Sequence, residues 1–135
     1  MATGWTTSDA WVFSAIAGDS TDDGRTLSQV VARADGINHA LLTEAEFTRA
    51  VRRLTASRLV EARPETDRYR PTEAGRELYR QRMRRRGLFG WIDVIPAALR
   101  RLGEPGDSDW SLTPGVFDRA TQQYLHHGTA AAGSG

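Results

Sequence analysis

Three arginines, Arg49, Arg52 and Arg53, stand at i, i+3 and i+4 within the run Thr43 to Ser57. A guanidinium is a rigid fork of N–H donors that fits a phosphate, or the O6 and N7 edge of guanine, through two parallel hydrogen bonds. Placed against guanine, such a fork discriminates between bases by about 1–3 kcal/mol. Further along, Arg63, Arg68 and Arg70 flank the turn formers Pro64-Glu65-Thr66-Asp67. Ser28 and Gln29 follow a threonine, Thr26, that can cap a helix, and polar groups at a helix start donate to phosphate backbones. These side chains have the chemistry of duplex contact. Four acids oppose it: Glu44 and Glu46 before the arginine run, Glu65 and Asp67 in the turn.

Other chemistry is sparse. There is no cysteine, which excludes disulfides and thiolate metal sites. His39 has no second ligand at metal-binding spacing, so a packed or hydrogen-bonded histidine is expected. His126 and His127 are adjacent, and side chains at i and i+1 diverge on a helix. The acidic loop Asp19 to Gly24 lacks the closing glutamate of a calcium loop. No Gly-rich phosphate loop, Gly-x-Ser-x-Gly or His-Glu-x-x-His occurs. The expectation is no enzyme, no cofactor and no metal.

The net charge of +1 hides a segregation. Residues 1–43 carry two Arg against five Asp, residues 44–101 fifteen Arg against eight acids, and residues 102–135 one Arg against four acids. A basic middle between acidic ends is the electrostatic footprint of a polyanion partner, or of a solvated face. All the basic residues are Arg. The longest apolar run, Leu88 to Leu99, is broken by Asp93 and Pro96 and is too short to span a bilayer. The N-terminus lacks a secretion-signal pattern. These features predict a cytoplasmic chain without a membrane segment.

The elements that would carry the arginines follow from caps and stripes. Residues 1–7 have no periodicity. Ser8 can cap a first helix with Trp11, Val12, Ala15 and Ile16 on one side, stopping at Gly18. Thr26 with Gln29 forms a capping box for a second helix, whose stripe is Leu27, Val30, Val31 and Ala34 and whose end is expected at Asp35-Gly36. Thr43 with Glu46 caps the third. There Phe47, Ala50, Val51 and Leu54 face a core and leave the three arginines free on the opposite side. Arg58 stands where a helix end favours glycine in a left-handed turn. Leu59 to Arg63 and Arg68 to Pro71 read as a hairpin, with proline suiting an edge. Thr72 caps a fourth helix. Asp93 can cap a fifth, with Pro96 in its first turn, and Thr113 a sixth, with Pro114 first and Gly128 last.

Helix, helix, helix, hairpin, helix is the order of a winged helix. The run Phe47 to Leu78 resembles winged helix-turn-helix regulators of the MarR and PadR groups, through Leu59-Val60 after the third helix and Pro71-Thr72-Glu73-Ala74-Gly75-Arg76 after the hairpin. The stretch Ala34 to Ala40 followed by Thr43-Glu44-Ala45-Glu46 is similar to small winged-helix proteins of no established role. The fold expected is therefore mainly α with a two-stranded β-hairpin wing, a winged helix-turn-helix plus two C-terminal helices. Its parts are a winged-helix domain at 8–86, a helical extension at 87–128 that completes the core or a dimer interface, and a disordered tail at 129–135.

The resemblance implies a DNA-binding transcriptional regulator that reads double-stranded DNA with its third helix and wing, at the same positions as above. A homodimer through 88–102 and 113–127 is the expected assembly. The alternative is a winged-helix protein–protein interaction module without DNA binding. Arg82 and Arg84–Arg86 beside Leu88, Phe89, Trp91 and Ile92 resemble a headgroup anchor, but such apolar residues are read here as dimer or domain core.

Overall fold

The computed structural model describes residues 4–19, 23–83 and 90–134. Among them the chain forms six α-helices and one two-stranded antiparallel hairpin. In order these are α1 (Thr7–Ala17), α2 (Leu27–Asn38), α3 (Glu44–Ala56), β1 (Val60–Arg63), β2 (Arg68–Pro71), α4 (Glu73–Met83), α5 (Gly90–Arg100) and α6 (Val116–Ser134). A 3-10 turn, Pro64–Thr66, joins the strands, and Asp67 closes it in the left-handed region at φ 54°.

α1 is the hub. It packs against α2, α3 and α5, and its residues from Asp9 to Ala17 are all buried. A helix apolar on all sides belongs in the middle of a domain. α5 lies against α1 and α4, and α6 against α2. Ile95, Leu99, Leu112, Phe117 and Ala120 are thereby buried in the same core as Phe13, Phe47 and Leu54. Most of the apolar stripe of each C-terminal helix is buried within the monomer. Among the described side chains of this region, Ile92, Leu102 and Leu125 are the large apolar ones left exposed.

An aromatic knot ties the hairpin to this core. Phe47 of α3 meets Tyr69 of β2 and Phe117 of α6, each with ring centroids 5.5 Å apart, and Trp110 at 5.9 Å. Tyr69 also meets Trp110 edge-on at 6.2 Å. Such pairs add about 0.5–1.5 kcal/mol each beyond the area they bury. On its backbone side Tyr69 exchanges two 2.8 Å hydrogen bonds with Arg25, an isolated bridge that sets the loop before α2 beside the hairpin. The Arg25 side chain caps the other end of the same loop, donating to the carbonyls of Ala15, Ile16 and Gly18 at the end of α1. Burial, and then Arg33 nearby, lowers its pKa.

The boundaries depart from the sequence expectation in five places. α1 is capped by Thr6 with Asp9, not by Ser8, and Trp5 before it is buried, so residues 4–7 are part of the fold. α2 continues past Gly36 to Asn38 and ends on His39 in the left-handed region at φ 54°. His39 is exposed there, neither packed nor paired with a ligand set. α5 starts at Gly90, which puts Asp93 and Pro96 inside it. Pro96 therefore leaves the Ile92 carbonyl without its helical donor. α6 begins after a turn in which Val116 donates to Thr113 and Gly115 takes φ 88°. It runs through Gly128 to Ser134, because one helical glycine costs only about 1 kcal/mol and the alanines beyond it favour helix. Arg84–Arg86, Leu88 and Phe89 lie outside the described residues.

Gly75 is the contact that seats α4. A β-carbon there would stand 2.0 Å from the backbone oxygen of Leu59, while the Thr72 N–H donates to that same oxygen at 3.0 Å. Backbone cannot step aside as a flexible side chain can. Gly75→Ala is expected to lower stability by about 1–3 kcal/mol or more, read from urea midpoints, and an unchanged midpoint would contradict this packing. Burial pushes the Tyr69 phenol well up, with Asp67 and Glu65 adding to the shift. The fold thus holds the neutral form, while the unfolded chain releases its proton near the ordinary pKa of about 10. Stability is therefore complete below that pH and falls as pH rises through it. Tyr69→Phe should flatten this alkaline slope in pH-dependent urea melts.

Candidate nucleic-acid interface

α3 is built as its sequence demands. Thr43 Oγ1 accepts from the Glu46 N–H at 3.2 Å, and Glu46 returns a carboxylate to the Thr43 N–H at 3.1 Å. The second Glu46 oxygen takes a hydrogen bond from Ser8 of α1 at 3.2 Å. Phe47, Ala50, Val51 and Leu54 are fully buried. The opposite face is not bare, however.

Arg53 Nη1 donates to Asp9 Oδ2 at 2.9 Å and to the Gly4 carbonyl at 2.7 Å. Asp9 is only 1% exposed and Arg53 13%, so this pair belongs to the core boundary and not to a free surface. Arg52 Nε donates to the Trp110 carbonyl at 2.7 Å. That carbonyl belongs to the α5–α6 connection, which crosses the outer side of α3 as a strap. Trp5 Nε1 holds the strap at Gly103 O (2.9 Å), and Ser108 Oγ lies 3.2 Å from both Thr55 Oγ1 and the Arg52 carbonyl. Of the three arginines, Arg49 alone is exposed without a hydrogen bond or ion pair among the described residues. The expectation of three free guanidiniums is corrected to one. Two were drawn inward because a buried carboxylate and an irregular backbone needed donors.

The hairpin presents its arginines differently. In the strand register Arg63 faces Arg68 and Glu61 faces Arg70. Arg70 donates to Glu61 through Nε at 3.1 Å and Nη2 at 2.9 Å, a forked ion pair, with Arg63 at 3.7 Å from the same carboxylate. Arg63 is 62% exposed, and Arg68 is exposed too. Arg63, Arg68 and Arg70 line one surface cleft with Thr66, Asp23 and Glu61. Like charges directly opposite across a hairpin are mildly destabilising.

The start of α2 adjoins this cleft. Asp67 Oδ1 accepts from the Leu27 N–H at 2.9 Å, so a hairpin acid is spent on the positive end of the α2 dipole. Gln29 Oε1 accepts from the Thr26 N–H at 2.9 Å in the capping box. Gln29 is exposed and Ser28 half-buried. Asp9, Glu61, Thr66, Gly103, Ser108 and Trp110 matter here and carry no signal in the sequence pattern of the site. Asp67, an opposing charge in the sequence pattern, serves instead as a partner of the α2 N-terminus.

No protein-family model, curated protein or solved structure matches the chain. Among the described residues no cluster of His, Cys, Asp and Glu is arranged to hold a metal ion, and no helix is long and apolar enough to cross a membrane.

The two kinds of arginine separate by stability. Arg53→Ala strands a buried carboxylate and should cost about 3 kcal/mol or more in urea unfolding. Arg49→Ala should stay within about 0.5 kcal/mol of the parent. Combining Arg53→Ala with Asp9→Ala should cost less than the two single changes summed; strict additivity would mean that the pair is not coupled.

Proposed function

We propose that the chain is a winged-helix protein of the kind its sequence resembles, a regulator that binds duplex DNA chiefly through the hairpin and the start of α2. Supporting the fold is the order of elements: a helix, a bridge strand at Arg25, two helices, a hairpin and a helix. α2 and α3 touch each other at few points and are joined by a five-residue link, 39–43, looser than a tight helix-turn-helix. From residue 90 onward the extension shares the core of the rest, and Ile92, Leu102 and Leu125 are the exposed apolar side chains described in it that a homodimer could use.

The observation that carries the functional reading is the exposed Arg63–Arg68 pair. These two guanidiniums oppose each other across the hairpin, Arg63 only 3.7 Å from a Glu61 carboxylate that Arg70 already holds. Asp67 ties the hairpin to the start of α2, which carries Ser28 and the exposed Gln29. A phosphate backbone laid along that edge relieves their repulsion. Arg49 is the one exposed arginine of the α3 trio but lies in the cleft beneath the strap, and Arg52 and Arg53 support the fold, so the duplex contact is assigned to the hairpin. Arg70 is held by Glu61 and positions the strand.

A second reading has its own observation. Ion pairs interleave acids with bases over much of the surface, at Glu61–Arg70, Glu77–Arg80 and Asp19–Arg33, and the strap lies over α3. A surface of alternating charge suits a protein partner better than a polyanion.

Gel shifts of random and genomic duplex at two salt concentrations separate the readings. DNA binding predicts affinity that falls steeply with salt, and a salt slope reduced by about 2 when Arg63 and Arg68 are both replaced by Ala. The double variant shifting duplex as well as the parent rejects the hairpin assignment. No shift at low salt, with a protein partner retained on purification, favours the second reading.

A further inference from the structure

The strap that covers α3 also makes something. Between them lies a cleft of about 500 Å³, with Thr48, Arg49, Arg52 and Arg53 on the helix side and Gly106 and Asp107 on the strap side. That is within the size range of small-molecule sites, roughly 300–1,000 Å³. We propose that this cleft binds a phosphorylated, hydroxyl-bearing small molecule, of the size of a sugar phosphate.

The charge balance favours an anion. Asp9 neutralises Arg53, which leaves Arg49 and Arg52 facing one carboxylate, Asp107. Two of the guanidiniums are also held in place before any ligand arrives. Arg52 is anchored through Nε alone, and Arg53 through Nη1 alone, so the remaining N–H groups of both are donors without a partner among the described residues. Anchoring long side chains in advance removes much of the ordering entropy that binding otherwise costs. A planar fork so fixed matches phosphate oxygens two at a time. Arg49, exposed and without a partner among the described residues, supplies a third group that can close on the ligand.

The second wall specifies the rest of the molecule. Asp107 Oδ1 accepts the Ser108 N–H at 2.8 Å, which orients the carboxylate and leaves Oδ2 as an acceptor. A carboxylate beside a phosphate site repels a bare phosphate but accepts a hydrogen bond from a hydroxyl on the carbon skeleton of a phosphate ester. Strap and helix approach closely here, since a β-carbon on Gly106 would come within 3.1 Å of Ala56 Cβ. A duplex would have to displace this wall, whereas a small ester fits beneath it. The inference does not rest on the duplex reading, and its test contains no DNA.

The isotope-labelled full chain is titrated with ribose 5-phosphate, inorganic phosphate and ribose, and amide shifts are followed by NMR. Saturable shifts are expected at Thr48, Arg49, Arg52, Gly106 and Asp107 with both phosphates and none with ribose. Ribose 5-phosphate should bind more tightly than inorganic phosphate, and Asp107→Ala should remove that preference. Arg49→Glu should weaken both by about tenfold or more, with its spectrum elsewhere unchanged as proof of folding. Arg63→Ala with Arg68→Ala should change neither affinity. Shifts that do not saturate and spread equally to the hairpin arginines would mean charge screening only, and would overturn the site. So would binding that survives Arg49→Glu, or equal affinity for ribose 5-phosphate and inorganic phosphate in the parent.

Discussion

A carboxylate inside the protein constrains everything around it. Asp9 is 1% exposed, and an ionised group taken that far from water must be paired or hydrogen-bonded to be tolerated. One oxygen of Asp9 accepts from the Thr6 N–H and from Arg53. It thus starts α1, fixes α3 against α1, and through Arg53 holds the Gly4 carbonyl. Its other oxygen has no partner among the described residues, which raises the cost of losing the first. The geometry of α1 on α3, the largest contact in the fold, is referred to this one group.

What surrounds the pair follows from polar groups that need partners. The connection from α5 to α6 is irregular, so its backbone carbonyls have no ladder or helix to join. Arg52 takes the Trp110 carbonyl and Trp5 the Gly103 carbonyl. With its carbonyl fixed, Trp110 sets its ring against Phe47 and Tyr69. The same residue thereby joins the strap, the third helix and the hairpin. The outer face of α3 is therefore a second packing surface, made of polar contacts where the inner one is apolar.

Local rules made much of this legible in advance. The boxes at Thr26 and Thr43 formed as read, because the partners lie three residues away. Arg58 adopts the left-handed turn at φ 61°, and the hairpin falls where its turn formers put it. The Thr6–Asp9 box is hard to read from the sequence because the apolar stripe begins only at Trp11, which favours Ser8. Gly36 and Gly128 were overrated as stops, since a glycine ends a helix only where the chain has reason to turn. The candidate site was less legible. A helical wheel says which way Arg52 and Arg53 point, but not that Trp110 and Asp9, 58 and 44 positions away, come to meet them. The strap carries no periodicity, and nothing in it announces its destination.

The arginines are sorted by what each would cost if left alone. Near α3 the chain has a buried acid and unpaired carbonyls, and guanidiniums satisfy both with fixed N–H geometry. On the hairpin two of the nearby acids are already engaged, Asp67 by the α2 N-terminus and Glu61 mainly by Arg70, while Asp23 lines the same cleft. Arg63 and Arg68 are therefore opposed across the strands in water, where solvent screening keeps their repulsion small. Under the proposed duplex reading, such a pair is cheap to leave without an anion and relieved when one is bound. Under α3 the same logic holds in a different form, since the anchored halves of Arg52 and Arg53 serve the fold while their unanchored halves point to a cleft with charge to spare. Structural duty and binding duty need not fall on different residues; a guanidinium has five N–H groups, and the fold uses only some of them.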